Sequence, residues 1–390
     1  MLSEVLIALL EISLIMLFAA LMGSISVKYR FPKVVGELLI GILISPFLIG
    51  GFINKIININ LFSINNYVLL FSEFSVILLI YSSGLESGIL SLKSSGIWGI
   101  MGAIFGATVP FIFGTFLLKF FVAFNVAIIM GSALGATSLA VVSSLIKELN
   151  LKGKGIDFIL TAGAFDDVVS LIILSVALAI STLGGFSYAH IIRIVFFYSI
   201  AWGIIFATSV FIIPKIFNKI NDKYAFEASL VTIFGLTAIM TTLGFSPIIA
   251  AYIAGVSMAE SKKVTILRKN IDALLSIFGS IFFVVIGLEV NLINLSFLGV
   301  FLSLYLTAIA IVFKIFGIYP FAFITTKNHK SSFAISTGMI PRGEIGLVVA
   351  NVGLTYSILN NVEFSSIVLM SLLTSIIGAL IFNNIYHYIK

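Results

Sequence analysis

The sequence predicts an all-α integral membrane protein with about 13 transmembrane helices. Of its 390 residues, 60% are hydrophobic and only 10% are charged, whereas soluble domains carry about 25% charged residues. The apolar residues form long continuous runs, which favours spanning helices over a barrel whose strands would alternate in polarity. Most Lys and Arg residues fall in every second loop between these runs. Residues 1–390 are therefore predicted to form a single membrane domain within the lipid bilayer.

The limits of the predicted helices come from polar, glycine and proline breaks between the apolar runs. The N-terminal run is predicted to be the first helix, because it lacks a basic start and is longer than a signal-peptide core. From the first to the thirteenth, the predicted helices cover residues 3–27, 33–50, 67–90, 96–119, 123–148, 156–183, 188–213, 225–243, 247–260, 270–290, 295–322, 331–357 and 363–388.

The basic residues of the loops predict the orientation of the helices, since cytoplasmic loops carry an excess of Lys and Arg. Such residues follow the first helix and every second helix after it. This alternation supports an odd number of helices, with the N-terminus outside the cell and the C-terminus in the cytoplasm. The residues in these loops are Lys28, Arg30, Lys33, Lys93, Lys147, Lys152, Lys154, Lys215, Lys219, Lys223, Lys262, Lys263, Arg268, Lys269, Lys327, Lys330 and Lys390.

Two pairs of segments resemble each other and predict an internal repeat. FPKVVGELLIGI at 31–42 resembles FSPIIAAYIAGV at 245–256, and YSSGLESGILSL at 81–92 resembles VVIGLEVNLINL at 284–295. These pairs match the second helix with the ninth and the third with the tenth. Because the matching helices are seven apart, which is an odd number, each helix of the second half crosses the membrane in the opposite direction to its match in the first half. We therefore predict two inverted repeats of six helices joined by a linker helix at 185–213, an arrangement typical of secondary transporters.

Two adjacent carboxylates, Asp166 and Asp167, lie within an apolar run of membrane-spanning length. At 1.5 Å per residue, Asp166 is roughly 16 Å from the inner end of its helix, and Lys314 is at the same depth in the eleventh helix. That depth is near the middle of a hydrocarbon core about 30 Å thick. A charge there costs at least about 2.5–3.5 kcal/mol, so several charges at one level predict a shared hydrated site. If Lys314 pairs with one carboxylate, the other can bind a cation.

Polar groups on two further helices fall at a comparable depth, namely Thr137 of the fifth helix and Arg342 and Glu344 of the twelfth. The fifth helix contains the small residues and hydroxyls of MGSALGATSLAVV, and the twelfth contains Pro341 followed by Gly343. Such residues weaken a helix, and a broken helix exposes carbonyl groups and dipole ends that can coordinate a cation. Two alternatives remain open: a structural ion-pair cluster, and a proline kink with close packing at small residues.

Five stretches together resemble the cation:proton antiporter family, specifically its prokaryotic Na⁺/H⁺ antiporters with an Asp-Asp motif. They are ALGATSLAVVSSLIKEL, GAFDDVVSL, SPIIAAYIAGVSMAE, AIVFKIFGI and GMIPRGEIGLVVA, and they stand in the family's order. The resemblance implies exchange of cytosolic Na⁺, with Li⁺ as a further candidate, for external protons by alternating access at the cell inner membrane. It thereby implies a part in pH homeostasis. Carboxylates at both positions imply electrogenic exchange.

The resemblance also implies separate roles for the two carboxylates. Asp167 matches the main ion- and proton-carrying carboxylate. Asp166 matches the carboxylate that forms a salt bridge with a lysine, which is Lys314 in this sequence. Both aspartates are therefore expected to hold the transported Na⁺, and no cofactor is expected besides the transported Na⁺ and protons.

Two broken helices that cross near the middle of the membrane are a further implication of the resemblance. Thr137 and Ser138 match the break in the first of them, the fifth helix, and take part in ion binding there. Arg342 and Glu344 match a charged pair that compensates charge at the break in the second, the twelfth helix.

The resemblance implies a homodimer in which each protomer has two parts. The ion-carrying core is expected at residues 96–184 and 295–390, and the dimer or scaffold helices are expected at 1–95 and 214–294. No cytosolic regulatory domain is expected after the last helix, which lowers the weight of the related potassium-efflux systems.

Two alternative functions remain open on the sequence, namely a K⁺/H⁺ antiporter of the same family and a cation channel on the same scaffold. No enzyme is expected, because an intramembrane aspartyl protease needs two aspartates that face each other from separate helices. No nucleic-acid partner is expected either, since the basic loops account for the net charge of +6.

Overall fold

The computed structural model describes residues 4–29, 31–86, 96–138, 153–183, 188–242, 247–293 and 295–389. These residues form fifteen α-helices and two short 3-10 helices, and no strand occurs among them. The all-α prediction is confirmed for this part of the chain. Several sequence predictions fall outside it, namely the basic residues Arg30, Lys93, Lys147, Lys152 and Lys390, and parts of the predicted repeat segments and helices, including 87–90 and 139–148.

The helices divide between two compact units. The first unit comprises residues 1–72, 95–174 and 280–390, and the second comprises 73–94 and 175–279. In chain order the helices are α1 (Glu4–Lys28), α2 (Lys33–Leu43), α3 (Ile49–Ile57), α4 (Asn66–Glu86), α5 (Gly96–Leu118), α6 (Phe124–Ser132), α7 (Lys154–Leu183), α8 (Tyr188–Phe217), α9 (Ala225–Thr242), α10 (Pro247–Ala259), α11 (Val264–Glu289), α12 (Phe297–Thr326), α13 (His329–Gly338), α14 (Glu344–Thr355) and α15 (Asn361–Ile385). The two 3-10 helices are Asp222–Tyr224 and Tyr386–Tyr388.

Among the described residues, eight helices are long and apolar enough to cross a membrane. Other apolar helices, such as Pro247–Ala259 and Glu344–Thr355, are shorter than the roughly 20 residues that cross a bilayer in one helix. The number of 13 spans therefore stays a prediction. The eight are α1, α4, α5, α7, α9 together with the 3-10 turn before it, α11, α12 and α15.

Three of the predicted helices are interrupted within the described residues. The prediction of one continuous helix over 33–50 is wrong, because α2 ends at Leu43 and α3 begins only at Ile49. Pro46 lies in this gap, and a proline disfavours helical geometry in the residue before it. In the predicted fifth helix, α6 ends at Ser132. In the predicted twelfth helix, α13 ends before the PRGE motif, and α14 begins at Glu344.

Side-chain caps fix the start of the helices in the C-terminal part of the first unit. The Ser296 hydroxyl accepts a hydrogen bond from a backbone N–H at the start of α12, and the Asn328 side chain does so at the start of α13. At α15, the Asn360 side chain accepts from the Glu363 N–H, and the Glu363 carboxylate accepts from the Asn360 N–H at 2.6 Å. This reciprocal capping box satisfies amide groups that a helix start leaves without partners.

In the first unit, α12 is the central helix. It packs along α5 and also contacts α13 and α15, while α6 contacts both α5 and α14. A buried apolar cluster brings together Phe158 of α7, Ile318 of α12 and Phe382 of α15. Met339, which directly follows α13, belongs to the same cluster. Because this cluster anchors α7 against α12, it fixes the depth at which the polar residues of the two helices lie.

Two glycines allow α2 and α11 to touch backbone to backbone in the first unit. A Cβ atom on Gly41 would overlap the Val284 carbonyl oxygen and lie 2.9 Å from the Gly287 Cα. A Cβ atom on Gly287 would lie 2.5 Å from the Leu38 carbonyl oxygen and 2.8 Å from the Gly41 Cα. Since such distances are too short for any side chain, both positions require glycine, as is common where membrane helices pack closely.

The second unit contains a contact of the same kind, between α4 and α10. A Cβ atom on Gly84 would lie 2.5 Å from the Tyr252 carbonyl oxygen and 2.9 Å from the Gly255 Cα. A Cβ atom on Gly255 would overlap the Tyr81 carbonyl oxygen. In the same unit, α10 also packs against α8 and α9.

Replacing Gly41 by Ala is expected to destabilise the protein, because the added methyl group meets backbone atoms that cannot rotate away. We expect a loss of about 1–3 kcal/mol, the usual range for overpacking. It will appear as a lower midpoint of thermal unfolding in detergent. Gly203→Ala is the matched control, since a Cβ atom there meets nothing within 4 Å. Equal midpoints for the two variants would contradict the close contact.

Candidate functional site

The candidate site lies in the first unit, where three helical regions bring charged residues into the interior. Asp166 and Asp167 of α7 are 0% and 6% exposed, Lys314 of α12 is 0% exposed, and Arg342 between α13 and α14 is 1% exposed. Burying an isolated charge is costly, so buried charges in proteins are paired or have a function. The contacts of these four side chains therefore decide what the site can do.

Asp166 is held by two donors that share one of its oxygens. The Lys314 ammonium donates to Asp166 Oδ2 at 2.8 Å, and the Thr137 hydroxyl donates to the same oxygen at 2.5 Å. Lys314 also donates to the carbonyl oxygen of Gly135 at 2.8 Å. The ion pair thus connects α7 and α12 to the non-helical segment that follows α6.

The other oxygen of this carboxylate has a different environment. Among the described residues, no hydrogen-bond partner reaches Asp166 Oδ1 or the hydroxyl of Ser170, which lies one helical turn further along α7. Both side chains are 0% exposed. Gly135 lies opposite, where a Cβ atom would be 3.0 Å from Ser170 Oγ. Buried oxygens of this kind can accept a proton donor or coordinate a cation.

The two interrupted regions contact each other directly. The Ser138 amide donates to the Pro341 carbonyl oxygen at 2.8 Å, and the Thr137 hydroxyl lies 3.3 Å from the Met339 carbonyl oxygen. The Ser138 hydroxyl also donates to Glu344 Oε2 at 3.2 Å. Backbone polar groups that leave a helix inside a membrane must find partners within the protein. Here each interrupted region supplies partners to the other.

Arg342 bridges the interrupted regions to α12. Its guanidinium donates to the carbonyl oxygens of Ala136 at 3.0 Å and Ala310 at 3.2 Å. Two hydroxyl groups of α15 hold its peptide unit, since Ser375 donates to the Arg342 carbonyl oxygen at 2.6 Å and the Arg342 amide lies 3.3 Å from Thr374 Oγ1. The buried positive charge therefore faces two backbone carbonyl oxygens, which carry partial negative charge.

All seven site residues predicted from the sequence are described, and they lie around these two interrupted regions. Asp166, Thr137 and Lys314 form one set in direct contact, and Ser138 contacts Glu344. Arg342 lies within electrostatic range of Lys314, as does Asp167.

Four groups of the site were not predicted from the sequence. They are the Ser170 hydroxyl, which lacks a partner among the described residues, and the carbonyl oxygens of Gly135, Ala136 and Ala310, which accept from Lys314 or Arg342. The only available signal was the run of small residues before Thr137, which indicated a break but not the atoms exposed by it.

Comparison with known families identifies the class of protein. The family model described as sodium/hydrogen exchanger, transmembrane, matches residues 13–385. The chain therefore belongs to the sodium/hydrogen exchanger family and is a multi-pass membrane protein, as the sequence predicted. The family is one of transporters rather than enzymes. Membership of the branch with an Asp-Asp motif stays a prediction.

Individual relatives match nearly the whole chain. A Na⁺/H⁺ antiporter of Enterococcus hirae is 32% identical over 375 residues, covering 94% of this chain and 95% of the relative. The Na⁺/H⁺-K⁺ antiporter GerN of Bacillus cereus is 28% identical and covers 94% of this chain and 93% of the relative. The solved structure of the sodium proton antiporter MjNhaP1 from Methanocaldococcus jannaschii at pH 8 has a TM-score of 0.71, covers 99% of this chain and 98% of its own, and is 15% identical. At that identity the structural likeness shows the fold alone.

Proposed function

We propose that the protein is a secondary active antiporter that exchanges cytosolic Na⁺ for external protons by alternating access, with Li⁺ as a second candidate substrate. The observation that carries this proposal is the buried site in which Lys314 binds Asp166 while Asp167 occupies the next position of the same helix. A lysine in contact with one aspartate leaves the site with a second carboxylate charge. Family membership and relatives named as Na⁺/H⁺ antiporters support the same function.

The exchange follows from competition between Na⁺ and protons for the same carboxylates. Asp167 carries the ion, so it binds either a proton or Na⁺ and not both. Thr137, which contacts Asp166, and Ser138 supply oxygen atoms at the place where α6 has ended and backbone carbonyl groups are open to coordination.

The same charges explain why transport is obligatory exchange. Loading with Na⁺ or protons adds positive charge beside Asp166 and Asp167, so the empty site carries the more negative charge. Moving such a charge through a low-dielectric barrier carries a large desolvation cost. The loaded states therefore change their access to the two sides of the membrane and the empty state does not. Two carbonyl oxygens accept hydrogen bonds from the Arg342 guanidinium and compensate part of its charge in both states.

The two interrupted regions support the proposal that broken helices cross near the middle of the membrane. Ser138 and Pro341 are joined by a backbone hydrogen bond, so the breaks meet at one point. Broken helices at midplane are the usual place for substrate and coupling-ion sites in secondary transporters.

The glycine contacts support the proposal of two inverted repeats of six helices. The segment alignment pairs Gly41 with Gly255, and it pairs Gly84 with Gly287. The contact between Gly41 and Gly287 in one unit is therefore made by the same pair of repeat positions as the contact between Gly255 and Gly84 in the other. Two unrelated halves would match at all four positions only by coincidence.

The proposal also assigns a role in transport to each part of the chain. Residues 96–184 and 295–390 form the ion-carrying core, 1–95 and 214–294 form the dimer or scaffold helices of a homodimer, and 185–213 form the linker helix. The protein lies in the cell inner membrane with its N-terminus outside and its C-terminus in the cytoplasm, as the basic loops predict. Carboxylates at both positions support electrogenic exchange.

A K⁺/H⁺ antiporter is the second candidate function, because one relative is named as a Na⁺/H⁺-K⁺ antiporter. Na⁺ and K⁺ differ in the size of the oxygen cage that suits them, so the oxygens around Thr137, Ser138 and Asp167 decide between them. A cation channel on the same scaffold is a third and weaker candidate, since the family and the named relatives are exchangers and antiporters.

Transport in proteoliposomes tests these candidates. The purified protein is reconstituted with a pH-sensitive dye inside the vesicles and a proton gradient across the membrane, with the potential held at fixed values. We expect saturable proton movement on addition of Na⁺, with a rate that depends on the potential. A response to K⁺ but not Na⁺ favours the second candidate, and cation flux without proton movement favours the channel. Vesicles that show no cation-driven proton movement would overturn antiport.

A further inference from the structure

We propose that the second unit binds an anionic phospholipid in a groove between α8 and α9, with its headgroup at Lys215 and Lys219. The groove is open and has a volume of about 350 Å³, within the range of about 300–1,000 Å³ that is usual for small-molecule sites. Mostly apolar side chains with a few hydroxyls line it, namely Thr208, Ser209, Ile212 and Ile213 from α8 and Thr232, Gly235, Leu236 and Ile239 from α9.

The shape of the groove suits a lipid chain. At Gly235, a Cβ atom would meet nothing within 4 Å, so the missing side chain leaves open space along α9. Ile212 and Ile239 on the two walls are 54% and 60% exposed. An apolar chain that lies in the groove would cover these side chains and gain the contacts that they lack within the second unit.

A second pocket continues the groove beyond Ile212 and makes its end basic. This pocket has a volume of about 370 Å³ and is lined by Ile212, Lys215, Ile216, Lys219 and Ile220. Lys215 lies in the last turn of α8 and Lys219 lies two residues beyond its end; both are exposed and line the same pocket.

The acidic residue nearest to these lysines in the chain, Asp222, is bound by a different lysine. The Asp222 carboxylate is bound by Lys263 at 2.7 Å, and Lys263 also donates to the Ile220 carbonyl oxygen. The lysines of the pocket can therefore bind a phosphate group. Basic pockets at the cytoplasmic end of membrane helices bind lipid headgroups in this way. The excess of Lys and Arg in cytoplasmic loops predicts that Lys215 and Lys219 lie on the cytoplasmic side.

A second copy of the chain suits the groove less well than a lipid. A symmetric pair in one membrane is related by an axis along the membrane normal, so equivalent residues lie at the same depth. Packing two copies groove to groove would bring Lys215 and Lys219 of both close together, and like charges across an interface are unfavourable. Charge complementarity therefore favours an anionic lipid.

The test measures thermal unfolding of the full-length protein in detergent with added lipid. A ligand that binds only the folded state raises the unfolding midpoint, so phosphatidylglycerol is expected to raise it and phosphatidylcholine to leave it nearly unchanged. The double variant Lys215→Gln, Lys219→Gln is expected to bind phosphatidylglycerol about 30-fold more weakly, on the usual contribution of a lysine near an anionic lipid. Lys223→Gln, which changes an exposed lysine outside the pocket, is the control.

A second variant tests the chain-binding part of the groove. Gly235→Leu places a side chain in the groove at a position where a Cβ atom meets nothing within 4 Å, so the protein is expected to fold but to lose the stabilisation by phosphatidylglycerol. Gly203→Leu is the matched control, because its position on α8 is equally open and does not line the groove. Its stabilisation is expected to match that of the unmodified protein.

Four results would overturn the proposal. If phosphatidylcholine stabilised the protein as much as phosphatidylglycerol, the headgroup charge would have no role. If inorganic phosphate alone raised the unfolding midpoint as much as phosphatidylglycerol, the pocket would bind a free anion rather than a lipid. Unchanged stabilisation in both the lysine variant and Gly235→Leu would place the lipid elsewhere. Dissociation of a dimer by Gly235→Leu, measured by light scattering, would make the groove a subunit interface. None of these readouts depends on Na⁺/H⁺ exchange.

Discussion

Asp167→Asn is expected to abolish Na⁺/H⁺ exchange and leave proteoliposomes with the background rate of protein-free vesicles. An asparagine has nearly the same shape as an aspartate, but it cannot take up a proton at physiological pH and it binds Na⁺ without a compensating charge. The site then neither loads Na⁺ nor returns a proton. The measurement is proton movement into dye-loaded vesicles after addition of Na⁺, at matched amounts of reconstituted protein.

The control for this variant is Asp272→Asn, which makes the same chemical change at an exposed position of α11. It is expected to retain full exchange. The unfolding midpoint of Asp167→Asn in detergent should remain close to that of the unmodified protein, which separates lost transport from lost folding. Robust exchange in a folded Asp167→Asn variant would show that another group carries the ion.

Lys314→Ala is expected to produce the largest loss of stability. The ammonium group contacts Asp166 Oδ2 and the Gly135 carbonyl oxygen, and both acceptors are buried. Removing one partner of a buried ion pair leaves an uncompensated charge and costs about 3–5 kcal/mol. The unfolding midpoint is expected to fall clearly, and the charge moved in each exchange cycle is expected to change.

A double-mutant cycle separates the ion pair from the space that the lysine fills. Asp166→Asn in the Lys314→Ala background removes the unpaired charge, so part of the stability should return, and the two single losses should not add. Charge movement is recorded electrically on a supported membrane. An unfolding midpoint and a charge movement that both stay unchanged in Lys314→Ala would contradict a role for the pair in either folding or transport.

Most of the helical architecture could be predicted because apolar length alone determines where a chain can cross a membrane. The predicted spans 3–27 and 96–119 agree with α1 and α5 to within one residue at each end. The start of α11 differs, since Val264 lies six residues before the predicted start at residue 270. Arg268 and Lys269 were assigned to the loop, but long basic side chains can extend from a helix end to the membrane surface.

The site could be predicted in part. Counting residues from the helix ends placed Asp166 and Lys314 at the same depth, and in the structure their side chains are 2.8 Å apart. The count could not show that Thr137 shares the same carboxylate oxygen with Lys314. It could not show the carbonyl acceptors of Arg342 either, because a backbone oxygen is the same in every residue and the sequence does not show which one a distant side chain reaches.

The hydrogen bond between Ser138 and Pro341 has a consequence for how the site recognises an ion. A non-helical segment is usually flexible, and ordering it around a ligand costs conformational entropy. Here the bond fixes the backbone beside Thr137 before any ion enters, and the Ser138 hydroxyl is fixed on Glu344. For the proposed cation site, this means that an arriving cation meets oxygens that are already in position. Discrimination between cations then depends on the energy of removing their hydration water rather than on the ability of the protein to adapt.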